Sequence, residues 1–129
     1  MPEIALRKHV AGSFDAVEAT LRAALAAEGF GVLTEIDVQA TLRAKLDVNF
    51  RRYKILGACN PPLAHQALLA DERVGVLLPC NVVLSEPPGG GTTVYAFDPA
   101  VMIAMADLPA LDALAQDARA RLERVLASL

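Results

Sequence analysis

The stretch Tyr53-Lys54-Ile55-Leu56-Gly57-Ala58-Cys59-Asn60-Pro61 carries three structural signals in succession. Tyr53 to Cys59 reads as a strand. Asn60 can cap a helix through its side-chain oxygen. Pro61 suits the first helical position, where a missing N–H loses no intrahelical partner. Leu63, Ala67 and Leu68 then give that helix its buried side. A strand that runs straight into a capped helix fixes the middle of the fold, and the rest can be read outward from it.

On the N-terminal side, Asp47 to Arg52 is a polar turn, preceded by a short helix from Val38 to Leu46 that Asp37 can cap. Its apolar positions are Val38, Leu42 and Leu46. Further upstream, Ile4 to Val10 reads as a first strand and Phe30 to Ile36 as a second. Between them Ser13 is an N-cap, Phe14, Val17, Leu21, Ala24 and Leu25 recur at helical spacing, and Gly29 is a left-handed stop. On the C-terminal side, Val74 to Ser85 reads as one long strand, apolar on both faces. Pro79 within it has no N–H for a ladder bond and predicts a bulge, an edge or a break. Pro87 to Gly91 is a turn, Thr92 to Phe97 a fifth strand, and Leu84 and Val94 belong to one hairpin. Asp98-Pro99 opens a short helix, and Asp107, with Pro109 after it, opens the last. There Leu108, Leu111, Ala115, Ala118, Leu122, Val125 and Leu129 form an amphipathic stripe, with Asp117 and Arg121 paired on the exposed side.

The expected fold class is therefore α+β: one domain over residues 1–129, with a mostly antiparallel five-stranded sheet packed by the first and last long helices. Composition agrees. Of 129 residues, 54% are apolar, which excludes a disordered chain. Alanine and leucine supply 24 and 19. No apolar run approaches the ~20 residues of a membrane span. A net charge of −3 opposes nucleic-acid binding by bulk electrostatics. Met1 to Val10 lacks the apolar core of a signal peptide, and two cysteines are too few for a disulfide scaffold. The expectation is a cytoplasmic protein with reduced thiols.

One pattern exceeds generic folding signals. Leu56-Gly57-Ala58-Cys59-Asn60 and Leu77-Leu78-Pro79-Cys80-Asn81 share Leu-x-x-Cys-Asn. Three readings of the cysteines stand side by side. They are small buried hydrophobes. They are a redox pair, with Cys59 activated by the helix that follows it. Or Cys59, Cys80 and His65 hold a soft metal ion, although no CxxC and no fourth ligand accompany them.

Other candidates have plainer explanations. Arg43, Lys45, Arg51, Arg52 and Lys54 concentrate positive charge, but a solvated turn accounts for them. Asp37, Asp98 and Asp107 are explained as caps. Gly89 to Gly91 lacks the lysine and Ser/Thr of a phosphate loop. Val101, Met102, Ile103 and Met105 form an apolar segment suited to packing or a dimer contact. With His9 and His65 the only histidines, no hydrolytic triad has support.

The run Tyr53 to Pro61, followed by Leu77-Leu78-Pro79-Cys80-Asn81-Val82-Val83, resembles the domain-of-unknown-function 302 family of small prokaryotic proteins. Asp98-Pro99 and the terminal helix fit too, so the resemblance covers Ser13 to Leu129. Gly57, Cys59, Asn60, Pro61, Leu78, Pro79, Cys80 and Asn81 match its signature. The resemblance implies a β-α-β(4)-α core similar to the TATA-binding-protein-like architecture, and a homodimer. It implies neither DNA binding nor any activity or cofactor.

The functional expectation is a domain that binds a small ligand or partner beside Cys59, Asn60, Cys80 and Asn81, where a helix N-terminus offers N–H donors. Two other classes stay open: a thiol redox or soft-metal protein using Cys59 and Cys80, and a structural dimerisation module working through Val101 to Met105. An enzyme using one thiolate belongs to the same rival class as the redox protein, and the binding domain is the stronger expectation.

Overall fold

The computed structural model describes residues 3–129; Met1 and Pro2, the first positions of the expected 1–129 domain, lie outside the described residues. Strands β1 (Ala5–Val10), β2 (Gly31–Asp37), β3 (Tyr53–Cys59), β4 (Cys80–Ser85) and β5 (Thr92–Phe97) form one sheet in the order β1-β5-β4-β3-β2. Every pairing is antiparallel. The helices are α1 (Phe14–Ala27), α2 (Val38–Leu46), α3 (Pro61–Ala70), α4 (Ala100–Ala106) and α5 (Pro109–Ala127), with a 3₁₀ segment at Glu72–Leu77.

The expected hairpin forms, and its register sets Leu84 opposite Val94. Strand alternation then sorts the side chains. Leu56, Ala58, Val82, Leu84, Val94 and Ala96 point to one face, where α1 and α5 cover them with Phe14, Val17, Leu21, Leu25, Leu122, Val125 and Leu126. Full burial of a leucine is worth roughly 1.5–3 kcal/mol, so this layer carries most of the stability. A smaller cluster of Ala67, Val74, Met102 and Leu111 closes the end of the sheet between α3, α4 and α5.

The caps behave as their chemistry dictates. Ser13 Oγ accepts the Ala16 N–H, and Asp37 Oδ1 accepts the Ala40 N–H. Gly29 adopts φ +85°, beyond the end of α1.

Three expectations need correction. The stretch Val74 to Ser85 is not one strand: Glu72–Leu77 is a 3₁₀ helix and β4 begins at Cys80. Asp71 starts the helical turn by accepting the Arg73 N–H and pairing with its guanidinium. Pro79, without an N–H, stands just outside the ladder. Asp107 does not open α5; at φ 48° it closes α4, and the N-cap of α5 is Leu108. Leu68 is not on the buried side of α3: it is 41% exposed, because the helix turns Ala67, not Leu68, into the cluster with Val74, Met102 and Leu111.

Candidate functional site

Asn60 sits at the junction of three helices. Its Oδ1 accepts the Leu63 N–H at 3.3 Å, and its Nδ2 donates to the Glu28 carbonyl at 3.3 Å. The Arg121 guanidinium donates to that same carbonyl at 3.0 Å. One buried amide thus joins the end of α1 to the start of α3, with α5 tied in through Arg121. Gly29 makes room for it: a Cβ there would lie 3.0 Å from Asn60 Nδ2.

Beside Asn60 a cleft of about 50 Å³ opens between the end of the sheet and α3, α4 and α5. Phe30, Ala58 and Cys80 form its floor, and Leu63, Met102, Leu111, Leu114 and Ala115 its walls. The lining is almost wholly apolar. A space of this size exceeds the ~10–15 Å³ that a water needs, yet offers it few polar partners. It suits a short aliphatic group, and is far below the ~300–1,000 Å³ of a drug-sized site.

The four candidate residues divide between the two sides of the sheet. Ala58, not Cys59, stands opposite Cys80 in the β3–β4 ladder, and Gly57 stands opposite Asn81. Cys80 and Asn60 therefore belong with the helical layer and the cleft. Cys59 contributes to the cleft wall where β3 ends, but its place in the pleat alternates with that of Ala58. Asn81 is exposed on the opposite face. His65 is exposed on α3 and does not line the cleft.

Both cysteines are free thiols. Burial pushes the Cys80 thiol up to about 11, and the neighbouring Cys59 adds to the shift. At neutral pH Cys80 is a protonated, weakly polar part of the cleft floor rather than a nucleophile.

Gly57 has a separate role. A Cβ there would lie 2.1 Å from Thr34 Oγ1 and 2.8 Å from Pro79 Cγ. This glycine lets β2 and the residue leading into β4 close over β3.

The charge cluster of the sequence is mostly structural. Lys54 pairs with Glu18 at 2.9 Å and Glu35 at 2.8 Å, Arg52 with Asp15 at 3.0 Å, and Arg43 with Asp47 at 3.6 Å. These contacts raise the Lys54 pKa and lower those of Glu35 and Asp15.

Sequence reasoning missed the contribution of Phe30, Met102 and Leu114 to the cleft. One signal was present. Leu111, Leu114, Ala115 and Ala118 recur at i, i+3, i+4 and i+7, a stripe separate from the Leu122–Val125–Leu126 contact with the main core.

The family described as domain of unknown function DUF302 matches residues 6–129. A crystal structure of an uncharacterized conserved DUF302 protein from Bacillus stearothermophilus is similar to the chain, with TM-score 0.91 and 30% sequence identity over 98% of each chain. No curated protein matches.

Proposed function

The chain belongs to the DUF302 family, and from that footing we propose that it is a binding domain whose cleft between Cys80, Asn60 and α5 takes a short aliphatic ligand, or the aliphatic end of a longer one. The carrying observation is the apolar cleft itself, built where α3, α4 and α5 meet the sheet. Asn60 is its polar landmark. Each of its amide groups makes one hydrogen bond and retains capacity for another.

Binding fits the thiols better than catalysis does. The Cys80 proton is held, and the register sets Cys59 one step out of phase with it. Two free thiols agree with a reducing, cytoplasmic setting.

A cavity-filling variant tests this reading. Ala115→Leu should leave the fold intact and abolish the saturable binding of 1-butanol that the unaltered chain shows. Equal alcohol binding by both would overturn it.

A second reading rests on a different surface. Leu69, Val76 and Met105 are 74%, 87% and 67% exposed, and Val76 and Met105 line one hollow of about 300 Å³. Val76 and Met105, exposed apolar residues around one hollow, favour self-association. A homodimer through this patch should show in sedimentation, and Val76→Glu should give a monomer. A monomer before substitution would remove the reading.

A further inference from the structure

The sheet face opposite α1 and α5 holds a shallow, open hollow of about 500 Å³. Its lining is unlike the cleft. Tyr53 and Tyr95, the chain's only two tyrosines, both border it, together with Phe97, Val83, Asn81 and Arg51. The register explains the grouping. Tyr95 stands opposite Val83, and Tyr53 opposite Ser85, so the two rings rise from the same face on either side of β4. Arg7 is the partner of Tyr95 on the outer strand and shares that face.

Charge supplies an independent observation. Among the described residues, eight of the twelve lysines and arginines make ion pairs. Arg7 and Arg51 are among the four that do not, and both border this face. The Arg51 guanidinium is stationed over the Phe50 ring, 5.3 Å from its centroid, and Phe50 meets Tyr53 edge-on at 6.0 Å. Among the described residues Glu3, also at the rim, is the one carboxylate lining the hollow. Its Oε1 accepts the Ala5 N–H at 3.4 Å.

The geometry points to a second binding site here, for a planar aromatic anion. Its ring would lie against Tyr53 and Tyr95, and its carboxylate or phosphate against Arg51. Aromatic side chains accept a flat ring by stacking whatever its substituents. An arginine fork matches the two oxygens of a carboxylate or phosphate. Asn81 and Ser85, both on β4, add hydrogen-bonding groups to the lining.

The chain itself provides the reporter. With the tyrosine rings labelled, NMR shows two tyrosine signals, both from this hollow. AMP and indole-3-acetate should each move both signals saturably at about 1 mM or below, with the tighter of the two identifying the preferred anion. Adenosine, which has the ring without the charge, should bind about tenfold more weakly, and Arg51→Gln should weaken the anions about tenfold. The Met102 methyl signal, in the cleft, should stay in place, separating this site from the proposed function. Tyrosine signals unmoved by both anions, adenosine equal to AMP, or Arg51→Gln without effect would overturn the proposal. So would sedimentation and dilution showing that a second copy covers the tyrosines.

Discussion

Cys80 stands directly across the β3–β4 ladder from Ala58, and this places Cys59 one residue out of register with it. The two thiols share a neighbourhood without being a cross-strand pair. Cys80 should therefore resist alkylation by iodoacetamide at pH 7.5 in the folded protein and react after unfolding. Rapid native labelling of Cys80 would contradict this.

The same thiol gives stability an alkaline dependence. The folded state holds its proton up to about pH 11, whereas an exposed thiol loses it near the ordinary value of 9.0. Between these values the unfolded chain binds fewer protons, so stability falls as pH rises. Denaturant midpoints measured from pH 8 to 11 should decline, with a loss on the order of 2 kcal/mol. Cys80→Ala should flatten that part of the profile.

Gly57→Ala should destabilise by about 1–3 kcal/mol through overpacking. The Thr34 hydroxyl would stand 2.1 Å from the new Cβ. Thr34→Ala in the same chain should recover part of the loss, and a double-mutant cycle reads the coupling. Additive effects would show that the strand closure does not depend on this contact.

Asn60→Ala removes the cap of α3 and the bond to the Glu28 carbonyl together. A loss of about 1–2 kcal/mol is expected. Asn60→Ser should recover the cap alone, because a serine oxygen can accept the Leu63 N–H but does not extend to Glu28.

Much of this was legible in the chain because local chemistry decided it. Asn60-Pro61 before an apolar helical run marks a helix start, and the strand before it ends at Cys59 as expected. The hairpin, though not its register, followed from two apolar runs around a glycine turn. The failures share a cause. Val74 to Leu77 is as apolar as a strand, but it pairs with no neighbour. Asp71 and Arg73 commit it to a helical turn, with Val74 buried and Val76 left outside. Asp107 has the chemistry of an N-cap, and only the path of the chain between α4 and α5 puts it in the left-handed region. For the candidate site, the sequence brought Cys59, Asn60, Cys80 and Asn81 forward as one group. The pleat assigns Cys80 and Asn81 to opposite faces, which a motif quoted as consecutive letters does not display. The cleft depended on Met102 and Leu114 arriving from distant helices, and the tyrosine face on Tyr53 and Tyr95 flanking β4.

The proposal that the Cys80–Asn60 cleft binds an aliphatic ligand is tested most directly by the methyl spectrum of the protein under xenon, a probe small enough for a cleft of about 50 Å³. Saturable shifts confined to the methyls of Ala58, Met102, Leu111 and Ala115, and lost in Ala115→Leu, are the predicted result. A spectrum unchanged at those methyls, or shifts spread evenly over the surface, would contradict it.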